Sequence, residues 1–370
     1  MAPVLLMVRQ LGLGGSERQL TEIARALDRS QFEPHVACFH PSGLRAAELE
    51  AAGVPVLCLE LRSFLSFSAL AAFGHLSEYI HRHGIRLVHT FDSPTNIYVP
   101  PAVRFCSSAV ILTSQRAHRQ LTPPGGRQLL RLNDRIVDGI VVNCEFLRRH
   151  LIEDEKVPRS LVHLCYNGLD TRVFYPAQPE SRPAALQDAS IVVGVVCALR
   201  PEKGLDTLIS AFARIHSQRS GLKLAIIGSG PCREALEAQA RSLGIDRDCL
   251  FQPGTADVAY WLRLIDIFVL PSRSEALSNS IMEAMACGCS VIASGVGGNP
   301  ELVAHRERGL LFRAGDADEL AAALRLLLEN EPLRRRLAAA GRDFIRENFS
   351  LEASARRMEA IYSSMLADAA

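Results

Sequence analysis

The chain has 370 residues, 48% hydrophobic and 22% charged, with a net charge of +1. That length exceeds one ordinary hydrophobic core and suits two domains. The near-neutral balance argues against nucleic acid as a partner, and no apolar run reaches the ~18 residues of a membrane-spanning helix.

Short apolar strands alternate with longer amphipathic segments from the start. "VLLMV" (4–8) is a first strand rather than a signal peptide, since no basic region precedes it. It runs through "LGLGGSERQLTEIARAL" into a helix. Strands follow at "HVACF" (35–39) and "VPVLCL" (54–59), then a helix at "ALAAFGHLSEYIHRHG" (69–84). "IRLVHTF", "AVILTS" and "GIVVN" are further strands, with a helix at "EFLRRHLIE" (145–153). Residues 175–189 hold three prolines without periodicity and read as a linker. A second alternation begins at "IVVGVVCAL" and runs to "SVIAS" (290–294); the tail from Glu331 is helical. The pattern predicts an α/β chain of two Rossmann-like halves facing a central cleft, with ligands at strand carboxyl ends. The ten cysteines are scattered without a CxxC pair, and Cys287 and Cys289 are too close for a zinc site. Free thiols and a cytoplasmic setting fit best.

Three loops offer candidate binding groups. In "GLGGSERQL", Gly12, Gly14 and Gly15 permit positive φ, and Ser16 with Gln19 forms a capping box. This is either a phosphate-binding helix start or a plain capped turn. In "ALRPEKG", Arg200 and Lys203 suit a diphosphate or belong to a solvated turn. Gly228 and Gly230 in "IIGSGP" read, in isolation, as a simple turn. The segment "SEALSNSIMEAMACG" (274–288) is richer. Glu275 lies in a loop and caps nothing evident. Glu283 lies one turn into the next helix, and the bare amides of Ser278, Asn279, Ser280 and Ile281 lie between them. A carboxylate, a row of amides and a second carboxylate suit a nucleotide sugar. The alternative for Glu283 is a capping box with Ser280.

Together these residues resemble a known family. "EALSNSIMEAMACGCSVIASGVGGNPELV" is similar to the E-x7-E signature of the retaining GT-B glycosyltransferases of family 4. "GGSERQL", "VHTFDSPTNIY", "YNGLDTRVF", "LRPEKG", "IIGSGP" and "FVLPSRSEAL" match other elements of that family in order and spacing. The resemblance implies an acceptor-side domain over 1–178, a nucleotide-sugar domain over 179–350, and a helix at 351–370 packing back on the first domain. It implies that Glu275 contacts the donor sugar, Glu283 the ribose and Lys203 the diphosphate. Amides around Ser278 to Ile281 and at Gly14 and Gly15 would bracket phosphates and sugar. Two departures stand out. Ala198 replaces an arginine that many members carry, leaving Arg200 to supply the charge. The histidine that many members keep after the "VILT" strand has no clear counterpart, leaving Arg116, His118 or His89 as candidates.

The implied reaction moves a sugar from a nucleoside diphosphate to an acceptor hydroxyl with retention, without metal or cofactor. Lys203, Arg200 and the helix amides would stabilise the leaving diphosphate. Rival readings are a sugar-nucleotide epimerase, a phosphorylase, or a non-catalytic binding subunit, the last motivated by Ala198. The acceptor would be a glycan or lipid-linked molecule. Residues 104–135 carry Arg104, Arg116, Arg119, Arg127, Arg131 and Arg135 against Asp134. They form either a solvated basic face or a contact with an anionic membrane or acidic glycan, at the cytoplasmic side of the inner membrane.

Overall fold

The computed structural model describes residues 1–12, 14–40, 43–61, 67–177, 181–218 and 220–369. Contacts divide the chain into two units, Met1–Gly168 with Leu351–Ala370, and Leu169–Ser350. The expected boundary at 178/179 falls in 178–180, outside the described residues.

The first unit runs β1 (Ala2–Gln10), α1 (Gly15–Ala26), β2 (Phe32–His40), α2 (Leu44–Ala51), β3 (Val56–Cys58), α3 (Phe67–Arg82) and β4 (Leu87–Thr90). It continues through α4 (Ser93–Cys106), β5 (Val110–Gln115), α5 (Pro124–Asn133), β6 (Gly139–Val142), α6 (Glu145–Arg149) and β7 (Val162–Leu164). Its seven strands are ordered β3-β2-β1-β4-β5-β6-β7 and pair in parallel. Val4 to Val8 of β1 are all fully buried, as a strand covered on both faces requires.

The second unit runs β8 (Ile191–Val196), α7 (Leu205–Ala213), β9 (Leu222–Ile227), α8 (Arg233–Ser242), β10 (Cys249–Gln252), α9 (Val258–Leu264) and β11 (Ile267–Leu270). Then come α10 (Asn279–Ala286), β12 (Ser290–Ser294), α11 (Asn299–Val303), β13 (Leu310–Phe312), α12 (Ala317–Glu329) and α13 (Glu331–Asn348). The six parallel strands are ordered β10-β9-β8-β11-β12-β13.

The last helix, α14 (Leu351–Asp368), belongs to the first unit. Met358, Tyr362 and Leu366 recur every four residues on one face and join the core of β1 and β2. Each such side chain contributes about 1.5–3 kcal/mol when fully buried. The Tyr362 ring meets Phe32 edge-on at 5.8 Å.

The sequence pattern does not announce α4. Pro94, Pro100 and Pro101 argue against a helix there. An Asp92 capping box nevertheless starts it: the carboxylate accepts from Thr95 N at 2.9 Å, and Pro94 sits in the first turn.

Candidate functional site

In the second unit, two loops dock beyond the carboxyl ends of β8 and β11. The first closes with a short turn at Pro201–Lys203, and Gly204 follows at φ 62°. A Cβ on Gly204 would lie 2.3 Å from the Pro271 carbonyl oxygen, so only glycine permits this approach. Arg273 ties the loops from the other side. Its amide donates to Glu202 O at 2.7 Å, and its guanidinium reaches Pro201 O and Asp206 Oδ2, both at 2.7 Å.

This docking brings Lys203 and Glu275 together. Lys203 Nζ donates to Glu275 Oε1 at 2.6 Å. Ser272 Oγ, fully buried, donates to the same oxygen at 2.6 Å. Burial lowers the Lys203 pKa, but the Glu275 carboxylate outweighs it and holds lysine above its ordinary value. The lysine and glutamate side chains remain 21% and 10% exposed, so a ligand can still reach them. A third loop holds Glu275 from behind. Gly297 has φ 58°, and a Cβ there would lie 2.0 Å from Glu275 O. Ser294 Oγ donates to Ser272 O at 2.6 Å, and Asn299 Nδ2 to Ser294 O at 3.0 Å. The sequence pattern did not single out Ser272 or Arg273, nor Gly297 within its glycine-rich loop. The serine three residues before Glu275 and the glycines of "SGVGGNP" were the available signals.

Other expected groups are placed differently. Ser278, not Ser280, caps α10, and its Oγ accepts from Ile281 N at 3.4 Å. The row of amides is therefore not wholly bare. Glu283 is the fifth helical residue, 4% exposed, and is not the partner in a box with Ser280. Arg200 does not join the Lys203–Glu275 pair; its side chain is 64% exposed and approaches Glu202 at 4.0 Å. Gly228 and Gly230 are more than a simple turn. Added Cβ atoms would lie 1.8 Å from Cys197 O and 2.4 Å from Leu199 O, so this loop packs onto the one leading to Arg200.

In the first unit, Gly14 is the N-cap of α1 at φ −67°, and neither Gly14 nor Gly15 takes a positive φ. The expected box of Ser16 and Gln19 does not form, since no side chain caps the helix. Gln19 is buried and instead exchanges hydrogen bonds with the Gly168 backbone, at 2.9 and 3.0 Å. His118 stacks on His150 with ring centroids 3.8 Å apart. Burial first, then His150, holds its pKa below the ordinary imidazole value. His89 is fully buried, with Nδ1 at 2.8 Å from Tyr362 Oη and Nε2 at 2.9 Å from Ser114 Oγ. Both ring nitrogens are thus engaged, which suits a core histidine.

Among the described residues, three of the six arginines of the expected basic face at 104–135 pair with carboxylates, two of them with partners outside that window. Arg104 forks onto Asp138 at 2.7 and 2.8 Å, and Arg131 meets Glu155 at 2.7 Å. Arg119 is buried against Asp134, with both contacts at 2.7 Å.

Two parallel sheets, each with polar groups beyond its strand carboxyl ends, define a Rossmann-type α/β architecture. Residues 13–173 match the family described as Glycosyltransferase Family 4, and residues 178–344 match Glycosyl transferases group 1. The chain belongs to these group 1/family 4 glycosyltransferases. It is 31% identical over 253 residues to the GDP-mannose-dependent monoacylated alpha-(1-6)-phosphatidylinositol monomannoside mannosyltransferase of Corynebacterium glutamicum, covering 65% of this chain. It is 28% identical over 213 residues to the N-acetyl-alpha-D-glucosaminyl L-malate synthase of Bacillus anthracis, covering 57% of this chain. The chain spans 66% and 56% of the lengths of these two relatives. The crystal structure of HepE from Anabaena with UDP-glucose superposes at a TM-score of 0.85 and 21% identity, covering 98% of this chain and 100% of that one. That likeness establishes the GT-B fold.

Proposed function

We propose that this chain transfers a sugar from a UDP- or GDP-linked donor to an acceptor hydroxyl, with retention and without metal or cofactor. The observation that carries the reading is the Lys203–Glu275–Ser272 cluster beyond the strand ends of the second unit. Lys203 and Ser272 both hold Oε1 of Glu275, so Oε2 faces the donor sugar and accepts from its hydroxyl. Lys203 then turns to the diphosphate, where negative charge grows as the anomeric C–O bond breaks. Amides at the start of α10 add to that stabilisation, and Glu283 holds the ribose. The acceptor oxygen bonds to the anomeric carbon from the face the diphosphate leaves, and its proton passes to a leaving phosphate oxygen. The two named relatives carry an inositol phospholipid and malate in their names, both anions. An acceptor with a negative charge, in glycan or glycolipid synthesis, extends that pattern to this chain.

We place the enzyme in the cytoplasm, peripheral to the inner membrane. Among the described residues no helix is long and apolar enough to cross a membrane. Arg127 and Arg135, beside the exposed Leu121, Leu129 and Leu132, are the groups that would touch an anionic surface. A second reading is a non-catalytic binding subunit, favoured by Ala198 and by the distance of Arg200 from the pair. A mass-spectrometric screen of UDP- and GDP-sugars in EDTA, with NMR of the product anomer, tests the proposal. Turnover with retained configuration is expected. Binding without turnover of any donor favours the subunit reading, and loss of nucleotide binding in EDTA removes the metal-free claim.

A further inference from the structure

The first unit contains a cation that the proposed chemistry leaves unused. Gln115 of β5 pairs with Val142 of β6, and Val142 with Leu164 of β7. Arg116, Asn143 and Cys165 therefore take the first places past the paired register on three neighbouring strands. Arg116 is half-buried. Its guanidinium lies 5.5 Å from the Phe91 ring centroid and donates to Asn167 Oδ1. Among the described residues no carboxylate forms an ion pair with it. Glu22, whose field reaches it, is already held by Arg18 at 3.1 Å and by Gln19 at 2.9 Å. Burial is the main cause that lowers its pKa to about 10.

Arg119, three residues on, shows how this fold treats a buried guanidinium it means only to bury. That side chain is 1% exposed and takes a two-pronged carboxylate from Asp134. Arg116 receives a neutral amide instead, and a desolvated guanidinium without a counter-charge is costly. One strand over, an independent observation points the same way. Asn143 is 3% exposed, and its buried Oδ1 has no hydrogen-bond partner. A cation lacking an anion and an amide oxygen lacking a donor call for one ligand that supplies both.

We propose that Arg116 and Asn143 anchor a phosphorylated polyol, the guanidinium holding phosphate oxygens and Asn143 Oδ1 accepting from a neighbouring hydroxyl. Within the sugar-transfer reading, on which this use rests, that polyol is the acceptor. A soluble polyol phosphate and a phospholipid head group share the chemistry.

The test is calorimetry of the full-length chain with inorganic phosphate and with glycerol 3-phosphate, beside sedimentation with vesicles of phosphatidylcholine containing phosphatidylinositol. Wild type should bind glycerol 3-phosphate, the vesicles or both, and which of them binds names the source. Arg116→Met should weaken that binding roughly tenfold or more, the scale of a lost charge-assisted hydrogen bond, and Arg116→Lys by less. Asn143→Ala should weaken glycerol 3-phosphate and spare inorganic phosphate. UDP and GDP affinity should not change in any of them. Wild type that binds neither ligand, or Arg116→Met that binds as wild type does, overturns the proposal. If Arg116→Met does not fold, phenylglyoxal modification of wild type mapped by mass spectrometry decides: glycerol 3-phosphate or the vesicles should protect Arg116 and not Arg135, and no protection overturns the site. Phosphate binding at Arg116 without turnover of any nucleotide sugar would sink the sugar-transfer reading alone; turnover without such binding would sink the anchor alone.

Discussion

Lys203 in the second unit and Arg116 in the first are both cations beyond the carboxyl ends of parallel strands, yet their surroundings differ. Lys203 has its counter-charge built in, at 2.6 Å, with Ser272 on the same oxygen. Three loops hold that counter-charge in place through Gly204, Gly297 and Arg273. Arg116 has an aromatic face and an amide, and among the described residues no carboxylate forms an ion pair with it. A site that is neutral at rest must exchange partners when a diphosphate arrives, so its lysine is released only where the ligand also satisfies the glutamate. A site left with net positive charge binds its anion directly and asks less of the ligand.

The sharpest way to break this comparison is to remove the internal pair. Lys203→Ala should lower turnover by roughly 10²-fold or more, the cost of one preorganised charge stabiliser. Steady-state rates at saturating donor check it, and a change of only a few-fold would mean that the lysine merely balances Glu275.

The first unit offers a pH test. Burial, and then the field of Arg116, holds His89 well below the ordinary imidazole value. The unfolded chain takes up a proton near pH ~6.5, and the folded chain does not. Stability therefore falls as pH drops below about 6.5, by up to about 1.4 kcal/mol per pH unit for this one group. His89→Asn should be less stable at neutral pH and should lose that part of the acid slope in urea melts from pH 7 to 5. An unchanged slope would show that His89 is protonated in the folded chain.

Arg200→Ala is expected to have the smallest effect, at most about three-fold in turnover, as for a solvated surface charge. A loss comparable to that of Lys203→Ala would show that Arg200 swings onto the bound donor and fills the gap at Ala198.

The sequence carried the sheet framework because strands buried on both faces are continuous apolar runs, as in "VLLMV" and "IVVGVV". It hid α4 because three prolines outweigh one Asp92 cap in any local reading. It left a cap at Ser280 open as an alternative because Ser278 and Ser280 are both good cap residues, and packing chose Ser278. Gln19 looked like a cap partner because its true partner, the Gly168 backbone, lies 149 residues away. Lys203 and Glu275 were each visible as candidates. Their mutual bond was not, since 72 residues separate them and only the docking of two loops joins them.

The central claim is that Glu275 serves the donor sugar while restraining the lysine that serves the diphosphate. Glu275→Gln tests it most directly, with turnover of the intact donor and affinity for free UDP or GDP measured on one preparation. The account predicts that turnover falls by roughly 10²-fold, on the scale of a lost transition-state contact. It predicts that nucleotide affinity stays the same or rises, because Lys203 is no longer held by a full negative charge. Normal turnover, or a nucleotide affinity that falls in step with it, would contradict the account and leave Glu275 as a structural partner of Lys203.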